Sequence, residues 1–375
     1  MIEYSLGAVG FGHWFSRLYR GISKSNEIKL SKVAGVSSFE GKADRLRTMG
    51  LDRRHYYRMV PEEGIPEEFF EGLDIVHISD PNQFHAEQTI ESLSKGKITI
   101  TEKTLGVNKQ EFVKVMDYIR ENGYEKKAYL HLHYMHKLLT MELPGQLMKY
   151  AKEHGKVRSV STVFFEKAGD EDSRRKSWLF SKESGGLFMD WIHPFEILYL
   201  GCAADRVDLN GVELYAINKE YDSVNPTGIR AEISLEGRFF SGDATAEMKV
   251  AKGVGYSRKT VRLLFESGAT LNLNYADSES EFSSSERGTW ALYDGGKVVE
   301  SGAPMGPDTS ELLVNDMLDM CNGRRAGLEM GMLEKIFEPQ WQYQKISAGI
   351  RIRSEDEELK KFYEVGGTLP PMSEG

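Results

Sequence analysis

Tyr4-Ser5-Leu6-Gly7-Ala8-Val9-Gly10-Phe11-Gly12-His13-Trp14-Phe15 is the stretch whose reading decides the fold. Tyr4 to Val9 has the apolar character of a buried strand, and a helical pattern follows from His13 to Ser23. Between them, the glycines permit a tight turn and a close backbone approach to a pyrophosphate, whose charge the free N–H groups of a helix start favour. An ordinary strand-to-helix turn is the competing reading of so short a motif; the strand–turn–helix context favours a dinucleotide site. Phe15 stands where the third fingerprint glycine is expected, which predicts a slightly displaced helix.

Outward from this turn, short apolar runs alternate with helical patterns. Ile28 to Val36 reads as a second strand and Phe39 to Thr48 as a helix. Leu73 to Ile78 reads as a strand that Asp80-Pro81-Asn82 breaks, and a helix-patterned segment then leads to an apolar run ending in Thr101-Glu102-Lys103-Thr104. A helix from Asn108 to Glu121 and a strand from Lys126 to His133 complete the series. This is the grammar of βαβ units, and it predicts a doubly wound parallel sheet of Rossmann type. In such sheets ligands bind beyond the carboxyl ends of the strands, which makes Lys103 the leading catalytic candidate.

The pattern changes after about Lys137. A helix from Leu138 to His154 precedes a strand from Val157 to Glu166, and one further helix is expected from Leu187 to Leu200. Alternating runs at Val212–Ile217, Ala231–Leu235, Thr260–Phe265 and Thr270–Tyr275, with turns at Glu236-Gly237, Ser267-Gly268 and Asp294-Gly295-Gly296, predict a large, open, mostly antiparallel sheet. Helical stretches at Glu311–Asn322 and Leu328–Ile346 and a polar tail from Gly366 close the chain. We therefore expect an α/β protein: a dinucleotide-binding domain over 1–133, then an α+β substrate-binding and oligomerisation domain over 134–375, with C-terminal helices packing back on the first.

A chain of 375 residues with 40% hydrophobic content supports two cores rather than one. Its net charge of −9 argues against a nucleic-acid partner, and its apolar runs are too short to span a membrane. No secretory signal is evident, and Cys202 and Cys321 match no metal spacing, which points to a cytoplasmic protein with reduced thiols. An open sheet face predicts self-association, as a dimer or tetramer.

The second strand ends in Ser37-Ser38, where an NAD site usually offers a carboxylate. With Lys42 and Arg45 close behind, two hydroxyls and a cation suit a 2′-phosphate, so NADP is favoured over NAD. Glu40 is the counter-evidence, and solvated helix residues are the plainer account of Lys42 and Arg45.

Four motifs in order resemble the glucose–fructose oxidoreductase / inositol dehydrogenase / MocA family (Gfo/Idh/MocA) across nearly the whole chain. They are Gly10-Phe11-Gly12, Asp80-Pro81-Asn82-Gln83-Phe84-His85, Glu102-Lys103-Thr104 in place of Glu-Lys-Pro, and Gly185-Gly186-Leu187-Phe188-Met189-Asp190-Trp191-Ile192-His193. The resemblance implies an NAD(P)-dependent oxidoreductase acting on a sugar, cyclitol or related polyhydroxy compound, without a catalytic metal. It also implies cofactor contacts from Gly10 to Trp14 and from Asp80, Pro81, Asn82, His85 and Glu102. Asp190 and His193 stand three residues apart where the family has four; either spacing keeps both on one helical face.

Hydride transfer from a carbinol requires a proton acceptor and a group that polarises the forming carbonyl. His193 is the candidate base and Lys103 the candidate polarising group, while Asp190 either binds a neighbouring hydroxyl or orients His193. The alternation puts His131 and His133 on one strand face; no third ligand is evident, so metal is not expected, and His133 and Tyr134 are candidate substrate contacts. Arg174, Arg175 and Lys176 read first as an exposed basic loop. The sharper reading is an anion subsite, with Arg175 meeting an acidic or phosphorylated sugar and Trp178 stacking on it. A non-catalytic ligand sensor of the same fold and a cofactor-using glycosidase are the alternatives.

Overall fold

The structure is a computed structural model that describes residues 3–60, 63–167, 186–217, 227–254, 256–275, 288–324, 327–347 and 350–363. The chain divides into two compact units, the first containing residues up to His136 together with Gly306–Lys335, and the second most of the remainder. His136, the last residue before the division, is tied to Asp316 of the returning segment, its Nε2 2.9 Å from the Asp316 Oδ2.

The first unit is a six-stranded parallel sheet. Its strands are β1 (Tyr4–Val9), β2 (Ile28–Gly35), β3 (Tyr56–Arg58), β4 (Ile75–Ile78), β5 (Ile98–Glu102) and β6 (Ala128–His131), in the order β3-β2-β1-β4-β5-β6. Every pair in it is parallel. The central strands are buried on both faces, which is why they read as continuous apolar runs. Helix α1 (His13–Lys24) follows β1 directly. The expected helix from Phe39 is instead a 3-10 turn, Glu40–Lys42, followed by the short helix α2 (Ala43–Thr48), and strand β3 was not foreseen. Phe15 is fully buried, its ring 5.7 Å from Phe11 and 6.0 Å from His77. An aromatic core contact thus fills the place of the third glycine.

Further helices flank this sheet: α3 (Glu67–Phe70), α4 (His85–Ser94) and α5 (Lys109–Glu121), the last capped by Asn108. In the second unit, α6 (Leu138–His154) and α7 (Phe188–Glu196) accompany the sheet, and a π-helical turn, Ile197–Gly201, continues α7 over the rest of the expected helix. Helix α8 (Thr309–Cys321) belongs to the first unit and packs on α1, where a Cβ on Gly21 would lie 2.5 Å from the Ser310 carbonyl oxygen. Lys24 adds an ion pair of 2.6 Å to Glu311. Helix α9 (Met330–Ser347) and helix α10 (Asp356–Tyr363) follow.

The second unit holds a nine-stranded sheet. Its strands are β7 (Val157–Lys167), β8 (Arg206–Tyr215), β9 (Gly228–Glu236), β10 (Phe240–Val254), β11 (Arg258–Phe265), β12 (Thr270–Asn274), β13 (Thr289–Asp294), β14 (Lys297–Gly302) and β15 (Ile352–Arg353). The order is β14-β13-β12-β11-β7-β10-β9-β8-β15, mixed but mostly antiparallel, with β10–β7 and β15–β8 the parallel pairs. The fifteen-residue β10, a central strand, had no counterpart in the sequence reading. The tail from Gly366 lies outside the described residues.

Candidate active site

In the first sheet the strand order reverses between β1 and β4, the switch point at which such sheets bind ligands. Gly10 ends β1 there with φ +84°, and a Cβ on it would lie 2.5 Å from the backbone nitrogen of Asp80. Only glycine fits this approach of the two loops. Gly12, by contrast, has open space where its Cβ would stand, and it caps α1 without a side chain. A backbone cradle that any side chain would fill is what a pyrophosphate needs, so these residues fit a dinucleotide.

The turn is braced from α2. The Arg45 guanidinium donates to the carbonyls of Phe11 (3.0 Å) and Gly12 (2.7 Å) and lies 4.4 Å from the Phe11 ring centroid. Arg45 is therefore part of the turn rather than a solvated helix residue. Ser37 and Ser38 are exposed after β2, and Lys42 ends the 3-10 turn beside them, half-buried. The Tyr56 hydroxyl donates to the Ser37 carbonyl at 2.6 Å, so the unforeseen β3 fixes this loop. The side chains of His13 and Trp14 lie outside the described residues.

After β4, Pro81 leads into a 3-10 turn, Asn82–Phe84, with Asn82 buried. Gln88 donates to Asp80 at 2.6 Å, and burial raises the Asp80 carboxyl above its ordinary pKa. His85 is 1% exposed and turns both ring nitrogens to backbone carbonyls. Its placement is that of a structural clamp, in contrast to the cofactor contact expected from the motif.

Lys103 lies just past β5, buried, and joined to Thr104 by a cis peptide bond. Glu102 before it points inward: its Oε1 accepts from His131 Nδ1 (2.7 Å) and stands 3.3 Å from His77 Nε2. Burial alone would raise this carboxyl, but the two imidazoles outweigh it and hold Glu102 well below the ordinary carboxylate value. Glu102 thus anchors the strand end, a different task from the expected cofactor contact. Beyond it, Asp316 accepts from Tyr129 at 2.6 Å and pairs with His136. Strand β6 stops at His131, so His133 and Tyr134 occupy a 3-10 turn and the predicted shared strand face does not form. His133 is half-buried and Tyr134 buried against it.

The second unit gathers another polar set. Asp190, His193 and Glu196 recur every three residues along α7. His193 Nδ1 is 2.8 Å from the buried Glu196 Oε1, while its Nε2 is 3.7 Å from Asp190 Oδ1. Asp190 forms an ion pair of 2.7 Å with Lys252 on β10. Burial disfavours the Lys252 ammonium, yet the charges of Asp190 and Glu166 outweigh it and raise its pKa. The hydrogen bond that fixes the His193 ring therefore comes from Glu196 rather than Asp190. Neither Glu196 nor Lys252 was foreseen; the signals were a carboxylate three residues past His193 and a lysine inside the apolar run Val250-Ala251-Lys252-Gly253-Val254. Arg174, Arg175, Lys176 and Trp178 lie outside the described residues.

The fold, a Rossmann unit followed by a large mixed sheet, is shared with several solved oxidoreductases. Neither a protein-family model nor a curated protein matches the chain. Among solved structures it is similar to KijD10, a 3-ketoreductase from Actinomadura kijaniata in complex with NADP and TDP-benzene, with TM-score 0.70 and 14% identity over 94% of this chain and 99% of that one. Aldose-aldose oxidoreductase from Caulobacter crescentus, complexed with glycerol, matches with TM-score 0.70 and 14% identity over 92% and 98% of the two chains. UDP-N-acetylglucosamine 3-dehydrogenase GnnA from Acidithiobacillus ferrooxidans matches with TM-score 0.63 and 13% identity over 91% and 97%. Among the described residues no helix is long and apolar enough to cross a membrane.

Proposed function

We propose that this chain is an NADP-dependent oxidoreductase that moves hydride between nicotinamide and a CH–OH group of a sugar, cyclitol or related polyhydroxy compound. The observation that carries the reading is the switch point itself: the Gly10–Gly12 cradle, closed against Asp80, with Lys103 two strands away at the end of β5. The KijD10 complex supports NADP as the cofactor, and the aldose-aldose oxidoreductase and GnnA support a small sugar-like substrate.

When bound, NADP supplies the hydride acceptor. Gly10, Phe11 and Gly12 hold its pyrophosphate, and Ser37, Ser38 and Lys42 receive the 2′-phosphate. Lys103 orients the substrate hydroxyl and stabilises negative charge on its oxygen. His193 takes the hydroxyl proton at Nε2, since Glu196 accepts from Nδ1 and fixes the ring. Asp190, neutralised by Lys252, binds a neighbouring hydroxyl. We place self-association on the second unit, whose sheet carries a groove of about 820 Å³ lined by Arg258, Arg262, Asn272, Asn274, Trp290 and Tyr293.

A panel of sugars and polyols followed by nicotinamide absorbance, run in parallel with NAD and NADP, tests this reading. Lys103→Ala is expected to lose at least about 1,000-fold in kcat while cofactor binding stays intact. Unchanged turnover in that variant removes Lys103 from the mechanism, and inactivity of the native chain across the panel leaves a ligand sensor as the better account.

A further inference from the structure

We propose that His85 is a positioning residue for Lys103, an imidazolium clamp that ties the loop after β4 to the segment after β5; this rests on the role given to Lys103 above. Its Nδ1 is 2.9 Å from the Thr104 carbonyl oxygen and its Nε2 is 2.8 Å from the Asp80 carbonyl oxygen. A carbonyl oxygen can only accept, so each ring nitrogen must carry a hydrogen, and both bonds exist together only in the doubly protonated ring. A neutral ring gives up one bond and turns a lone pair towards a carbonyl oxygen in a site from which water is excluded. The nearest counter-charge is the Asp80 carboxylate, its Oδ1 3.7 Å from Nε2.

The groups facing the clamp are few. Asp80 comes from the loop after β4 and His77 from β4, while the Glu102 carboxylate of β5 is turned to His77 and His131. Lys103 is consequently held on both sides, through the Glu102 side chain before it and the Thr104 carbonyl after it. A lysine head group sits at the end of a long flexible stem, so its placement depends on a fixed backbone at its root. The Thr89 hydroxyl adds rigidity, donating to the His85 carbonyl at 2.6 Å, with the Thr101 hydroxyl of β5 2.7 Å away. Losing either bond frees one end of the clamp, and Lys103 then loosens at its root.

Two measurements on the full chain test the clamp. Isotope-labelled histidine, with the His85 signals assigned by comparison with His85→Gln, is expected to show protons on both ring nitrogens of His85 at about pH 7. A single neutral tautomer there overturns the proposal. His85→Gln keeps one N–H donor and is expected to lower kcat about 100-fold, with the NADP Kd unchanged within about threefold. A variant that melts earlier yet keeps the native kcat reduces His85 to a structural role and likewise overturns it. The labelled-ring readout needs no turnover, so failure of the clamp stays distinct from failure of the function proposed for Lys103.

Discussion

The carboxylate beside Lys103 and the carboxylate beside His193 are both buried, yet partners of different kinds answer their charge. Glu102 is met by the imidazoles of His131 and His77, and Asp190 by the Lys252 ammonium at 2.7 Å. Burial lowers the pKa of the His77 imidazole, so it takes up a proton only as the pH falls, whereas an ammonium whose pKa is raised stays charged throughout the physiological range. The first unit therefore holds its lysine in a frame that responds to pH. The second holds its histidine beside a permanently neutralised aspartate.

The largest expected effect breaks the permanent pair. Lys252→Met leaves Asp190 buried without its cation, which costs about 3–5 kcal/mol of folding stability in a denaturant titration. Lys252→Arg restores part of that loss because it restores the charge. A loss below about 1 kcal/mol in Lys252→Met shows that Asp190 is neutralised in another way, and the contrast between the units then fails. Next in size is the turn. Gly10→Ala places a Cβ 2.5 Å from the Asp80 nitrogen at φ +84°, a strain of about 1–3 kcal/mol, visible as lower stability and weaker NADP binding.

The same contrast explains what the sequence made legible. Strands β1, β4 and β5 were readable because burial on both faces leaves continuous apolar runs. Strand β3 is three residues, Tyr56-Tyr57-Arg58, too short to show a period. Strand β10 carries Glu247, Lys249 and Lys252, whose charges are matched by Arg230 on β9, by Glu247 on the same strand and by Asp190 on α7, and so disguise a central strand as a polar one. Asp190 and His193 were visible because helical spacing is local. Lys252 and Asp316 were not, because spacing says nothing about which strand or helix will face a residue across the core. His85 stands in a motif visible in the sequence, but nothing local shows that its ring lies between two backbone carbonyls.

The adjustable frame makes a prediction of its own. Burial lowers the pKa of His77 from 6.5, so below about pH 6.5 the unfolded chain binds more protons than the folded one and stability falls. Glu102, depressed from 4.5, adds a second loss in the same direction as pH falls below about 4.5. His77→Gln still offers Glu102 a donor but does not titrate. Its stability is expected to fall less between about pH 7 and pH 5 than that of the native chain, read from denaturant midpoints. Equal losses in the two proteins mean that His77 takes no part in the acid response.

The smallest effect concerns a cation that pairs with neither buried set. Lys42 ends a 3-10 turn at the mouth of the loop after β2, half-buried beside two exposed serines, whereas Arg45 is fully engaged by the carbonyls of Phe11 and Gly12. If one of these cations reads a 2′-phosphate, it is Lys42, because Arg45 has its donors directed at the turn. Lys42→Ala is expected to weaken NADP by about 1 kcal/mol, roughly fivefold, and to leave NAD unchanged. Arg45→Ala, by loosening the turn that holds the shared pyrophosphate, weakens both cofactors alike. Parallel titrations of the two variants with NAD and NADP separate a charge that selects the cofactor from a charge that shapes its site; equal losses for both cofactors in Lys42→Ala overturn the assignment.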